Sequence, residues 1–183
     1  MGTYFSTVYN RFLGKITDDM YMELTPQDTI RDLQNLLVDA LPGFEFPRKN
    51  LMNYEILVEE IASDATTGED FVVTANEEGS VLVDRSTFAA ELTNEEVNII
   101  AILMMIAWVQ RQVTSIENIR MKYSGSDFKF TSQANHLSKL MSLLENCKKE
   151  SHHLQRLYKR RRTDEDGNYV SNWSSLGVSR FDH

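Results

Sequence analysis

Cys147, His152 and His153 are the residues whose types could make a metal or thiol site, and their spacing argues against one. Such a site needs ligands that converge on one point. On a helix, five residues of separation turn His152 away from Cys147, and adjacent histidines diverge. Cys147 also falls on an apolar seam, where a thiol acts as a small hydrophobe. Asp164-Glu165-Asp166-Gly167-Asn168 has the acids of a calcium loop. That loop requires glycine at its sixth place and glutamate at its twelfth, where this chain has Tyr169 and Ser175. Gly14-Lys15 is followed by Ile16 and lacks the upstream glycine of a phosphate loop. No zinc-protease helix, nucleophile elbow or paired-cysteine motif occurs. The expectation is a protein with no catalytic residues, no cofactor and no metal, and so not an enzyme.

The basic run Lys159-Arg160-Arg161-Arg162 is the strongest binding feature. Residues 148–162 carry seven Lys/Arg against one acid, Glu150. Residues 1–147 carry 11 Lys/Arg against 22 Asp/Glu. A tight basic cluster can grip phosphates. Basic residues at a helix C-terminus also complement its dipole. The formal charge of −8 opposes general nucleic-acid binding. Contact with a protein, or simple capping, is therefore the favoured use. The 21 residues after the run are rich in Ser, Asn, Gly and Asp, yet contain Tyr169, Trp173 and Phe181. Alone such an arm is disordered, and its aromatics can anchor it to a partner. Packing back on its own domain is the equal alternative. Lys159, Arg160, Arg161, Arg162, Tyr169, Trp173 and Phe181 are the candidate partner-binding residues.

These residues must be held by helices. Residues 132–162 carry Leu137, Leu140, Leu144, Cys147, Leu154 and Tyr158 at alternating steps of three and four, with Ser151 filling the gap. That is the seam of a helix packed along another helix. Thr93-Asn94-Glu95-Glu96 is a capping box, and the segment after it is apolar on all sides through Val109. It then narrows to Val113, Ile116 and Tyr123, so its first half belongs in a core, where Ile100, Leu103, Met104 and Trp108 should be buried. Ser124-Gly125-Ser126 breaks it, and residues 127–130 link to the last helix, which Thr131 or Ser132 can cap. The two long helices then run antiparallel. Upstream, Phe5, Val8, Tyr9 and Phe12 predict an amphipathic helix over residues 3–16. Thr25-Pro26-Gln27-Asp28 starts a second, which Pro42-Gly43 ends.

The middle of the chain changes period. Tyr54, Ile56 and Val58 alternate weakly, as in a strand. Phe71-Val72-Val73-Thr74-Ala75 and Ser80-Val81-Leu82-Val83-Asp84 flank Asn76-Glu77-Glu78-Gly79, which predicts a β-hairpin near 71–84. The expected fold is mainly α, a helical bundle with two long antiparallel helices, an inserted β-hairpin and an extended C-terminal arm. Residues 1–162 form the domain and 163–183 the arm. One cysteine suggests a reducing compartment. The longest apolar run, residues 97–109, is expected to be too short for a bilayer, so no membrane contact is expected.

The combination resembles small neck proteins of tailed bacteriophages, of the head-to-tail connector or head-completion type. It is carried by Tyr4-Phe5 with Phe12-Leu13, by Asp19, Leu33 and Leu36-Leu37, and by Phe44-Glu45-Phe46-Pro47. Leu92-Thr93-Asn94-Glu95-Glu96-Val97, Met104-Met105-Ile106-Ala107-Trp108, Asp127-Phe128-Lys129 and Ser132-Gln133-Ala134-Asn135-His136-Leu137 complete it. The resemblance implies a mostly helical structural protein, made in the host cytoplasm and placed in the virion. It would form a ring of copies below the portal and meet other neck or tail proteins, with contact to DNA in the channel left open. The segregated charge agrees, because head-to-tail packing in a ring needs two complementary surfaces per copy. The alternative is a cytosolic helical protein-binding adaptor with no catalytic activity.

Overall fold

The computed structural model describes residues 2–16, 24–62, 65–66, 68, 70–73, 80–122, 131–163 and 169–170. Among these the chain is mostly helical, with small antiparallel sheets. Helix α1 (Phe5–Leu13) buries Phe5, Val8, Tyr9 and Phe12. It is shorter than expected at both ends: Tyr4 bridges Thr87 ahead of it, and Gly14 caps it after Leu13. Phe88 donates its N–H to the Thr3 carbonyl at 2.8 Å, and Phe5 donates to that of Ser86 at 2.8 Å. Gly2 lies so close to this strand that a Cβ there would sit 1.9 Å from the Phe88 carbonyl oxygen, which explains a glycine at this point.

Helix α2 (Pro26–Ala40) starts as its sequence dictates. The Thr25 hydroxyl oxygen accepts from the Asp28 N–H, Pro26 takes the first turn, and Leu33, Leu36 and Leu37 face inward. A 3-10 turn (Leu41–Gly43) ends it, since Pro42 cannot continue the ladder. Helix α3 (Asn94–Lys122) opens with the capping box. Thr93 N–H donates to Glu96 Oε2 at 2.7 Å, and Glu96 N–H donates to Thr93 Oγ1 at 3.3 Å. About 44 Å long at 1.5 Å per residue, α3 packs against α1, α2 and the last helix. Val97, Ile99, Ile100, Met104 and Val109 are buried.

Helix α4 (Thr131–Arg160) lies antiparallel to α3. Tyr158 meets Glu96 at one end, while Leu137 packs with Val113 at the other. Leu137, Cys147, Ser151 and Tyr158 are buried along the seam, with Leu140, Leu144 and Leu154 partly so. Ser151 fits because its hydroxyl accepts from Gln155 Nε2 at 3.1 Å. Thr131 and Ser132 lie within the helix rather than ahead of it. Tyr123 and the link at 127–130 lie outside the described residues. Trp108 is mostly buried, as expected. It sits where the main core gives way to a second cluster of Val109, Val113 and Leu137.

The expected strand pair near 71–84 is present within a larger sheet, and the membrane expectation needs correction. The hairpin is part of a three-stranded sheet ordered β2-β4-β3. Strands β3 (Phe71–Val73) and β4 (Ser80–Asp84) pair with Phe71 opposite Asp84, the register a four-residue loop requires; that loop lies outside the described residues. Strand β2 (Val58–Ala62) covers the other side of β4, with Val58 opposite Asp84. Strands β1 (Tyr54–Glu55) and β5 (Thr87–Phe88) continue the same register, Tyr54 opposite Phe88. Residues 54–62 are thus one long edge along residues 80–88. The membrane expectation changes. Asn94–Asn118 is long and apolar enough to cross a bilayer, with a hydropathy of 1.6. Its first half is nevertheless packed into the main core beside α1 and α2, as in a core helix.

Because Ile100 is fully buried in that core, Ile100→Ala should cost about 2–5 kcal/mol in urea denaturation. Exposed Arg31→Ala should stay within about 0.5 kcal/mol of the parent.

Candidate interaction surface

The basic end of α4 folds onto the segment after α2 and the start of α3. Glu96, 2 % exposed, sits at the junction. Its Oε1 accepts from the Tyr158 hydroxyl at 2.6 Å. Its Oε2 accepts from Thr93 N–H and from Thr93 Oγ1 at 2.9 Å, with Lys49 Nζ 3.6 Å away. Burial alone would raise the Glu96 pKa, but the Tyr158, Thr93 and Lys49 interactions outweigh it and hold the carboxyl below its ordinary range. Tyr158 is pushed up, first by burial and then by Glu96. The carboxylate therefore stays ionised and the phenol stays protonated. General acid–base work needs a group that titrates near the working pH, and these two move away from it.

Arg48 closes the end of α4. Its guanidinium lies 4.4 Å from the Tyr158 ring centroid. Its Nη2 donates to the Tyr158 carbonyl at 2.7 Å and to the Arg161 carbonyl. A cation beside the last carbonyls of a helix is favourable for the helix dipole. One turn earlier, Gln155 accepts from Glu45 N–H at 2.7 Å and donates to the Gly43 carbonyl at 3.2 Å. His152 Nδ1 lies 3.4 Å from Glu45 Oε1.

The candidate residues are dealt with differently. Lys159 Nζ stacks 3.8 Å from the Phe46 ring centroid. Arg161 pairs with Glu95 at 2.8 Å. Arg160 is exposed at the end of the helix. Arg162 lies in β6 (Arg162–Thr163), which pairs with β7 (Tyr169–Val170), Tyr169 opposite Thr163. The expected domain boundary at 162/163 therefore falls inside β6. Trp173 and Phe181 lie outside the described residues. Lys159 and Arg161 are engaged within the chain, so the basic run is in part a helix terminus anchored to its own body. Arg48, Phe46 and Gln155 carry that anchor. Their only sequence signal was the aromatic pair Phe44 and Phe46 before Pro47.

A second polar network fixes the sheet. Asp84, 1 % exposed, accepts from Tyr9 Oη and Gln34 Nε2, each at 3.1 Å, and from Ser86 N–H at 2.8 Å. Tyr9 is pushed far up, chiefly by burial and then by Asp84. Cys147 is buried and its thiol raised by burial, then by Glu150. A protonated thiol is a poor nucleophile and a poor metal ligand. Among the described residues no group of three or more His, Cys, Asp or Glu side chains could hold a metal ion. The polar side chains of the two networks act as helix caps and inter-element clamps. No protein family, curated protein or solved structure matches this chain.

The depressed Glu96 pKa sets the sign of an acid effect. The unfolded chain takes up this proton first as pH falls. Glu96 thus contributes stability that is intact above the ordinary carboxyl value of 4.5 and is lost as pH drops through the lower folded value. Urea midpoints from pH 7 to pH 3 should fall less steeply for Glu96→Gln than for the parent. At pH 7 the variant should be weaker by about 1–3 kcal/mol.

Proposed function

We propose that this chain is a structural subunit of a phage neck, which assembles into a ring between head and tail. The observation that supports it most is the spine formed by α3 and α4. One end is clamped to the body through Glu96 and Tyr158. Beyond Val109 the two helices are held by their own small cluster, Val113 against Leu137. A body with a stiff projection offers two different surfaces, as a closed ring of identical subunits requires. Buried apolar seams and satisfied polar caps suit a part that bears load rather than one that turns over substrate.

Under this reading the chain is a helical bundle with an inserted β-hairpin and a C-terminal arm. Arg160 and the arm's Tyr169, Trp173 and Phe181 would meet neighbouring copies or adjacent neck proteins. One feature favours the adaptor alternative. A groove of about 530 Å³ runs along the spine beside Val113, Leu137, Met141 and Leu144, and Met141 is half exposed. Such a groove fits an amphipathic helix of a partner.

Light scattering and electron microscopy of the purified chain, alone and with candidate head and tail proteins, separate the two. The ring reading expects closed oligomers. A monomer that stays monomeric with every such protein contradicts it. Deleting residues 163–183 should leave the melting transition in place while reducing assembly.

A further inference from the structure

The sheet carries an edge that neither network uses. Residues 54–62 pair on one side only among the described residues. Asn53 and Leu57 turn their carbonyls toward the central strand, accepting from Ala89 N–H and Arg85 N–H at 2.9 Å each. Leu57 N–H also points there, donating to Ser86 Oγ at 3.0 Å. Strand alternation then directs the backbone groups of Ile56, Val58 and Glu60 outward. This edge is apolar and open: Ile56 is 50 % exposed, Leu57 40 % and Val58 39 %. Long exposed apolar edges are templates for pairing with another chain.

Charge selects the occupant. Exposed Glu55 and Glu60 bracket the apolar stretch. Two copies pairing edge to edge would bring these acids together with Glu59 of each, and like charges across a ladder are unfavourable. The chain's own basic run is committed elsewhere: Lys159 and Arg160 end the last helix, Arg161 pairs with Glu95 and Arg162 pairs in β6 with Val170. We propose that this edge binds an extended segment of a different protein by β-strand addition, the segment having β-branched residues flanked by Lys or Arg. Its backbone completes the ladder at Ile56, Val58 and Glu60, and its cations face Glu55 and Glu60. The inference stands on edge geometry and holds for either a ring subunit or an adaptor.

The test uses the full chain and two synthetic peptides with a common Val/Thr centre, one flanked by lysines and one by glutamates. Fluorescence anisotropy should show the lysine peptide binding, and the glutamate peptide binding about tenfold or more weakly. Amide hydrogen exchange should slow at Val58 and Glu60 on binding. Val58→Pro removes an outward donor without touching the inner ladder and should abolish binding. The double variant Glu55→Lys/Glu60→Lys should reverse the peptide preference, which serves even if the proline variant fails to fold. Equal binding of both peptides, no added protection at Val58 and Glu60, or self-association of the parent that Val58→Pro abolishes would each overturn the proposal.

Discussion

The contact between the Tyr158 hydroxyl and Glu96 is the constraint on which the rest of the structure depends. It joins the C-terminal end of α4 to the first turn of α3, across 62 positions of sequence. A buried carboxylate is costly unless its lone pairs are satisfied. Glu96 is satisfied because the same side chain closes the capping box of its own helix. The cap makes the carboxylate tolerable, and the carboxylate then fixes where α4 ends. Arg48 and Lys49 follow from that placement. They arrive on the segment after α2, and each binds an oxygen that the clamp presents.

This arrangement decides what the basic run can do. Seven positive groups near a helix end would favour phosphate if they were free. Lys159 stacks on Phe46 and Arg161 pairs with Glu95, so part of the charge is consumed in holding the spine. The seam carries the restraint along the two helices, from the clamp through Ser151 and Cys147 to Leu137. The sheet is fixed separately by Asp84, whose carboxylate gathers Tyr9 of α1 and Gln34 of α2.

What was legible in the sequence was local. Thr25 with Pro26, and Thr93 with Glu96, marked two helix starts because capping involves residues within one turn. The 3–4 spacing from Leu137 to Tyr158 showed the buried face of α4, with Ser151 correctly placed on it. The hairpin register followed from one loop. Long-range partners were not legible. Strand β2 joined the sheet through pairing between residues 18 positions apart at Ala62 and Ser80, and further apart elsewhere. Ile56 and Val58 alternate in the sequence but face solvent at an edge. Trp108 reads as core in the sequence, and it packs against both apolar clusters. The meeting of Arg48 with Tyr158 spans 110 positions, and no local pattern announces it.

A double-mutant cycle on Glu96→Gln and Tyr158→Phe, read by urea denaturation at pH 7, tests the central claim most directly. If this contact locks the spine to the body, the two changes are coupled by about 0.5–3 kcal/mol. The double variant is then less destabilised than the sum of the single ones. Purely additive losses would contradict the account, because the two groups would then stabilise the fold independently of each other.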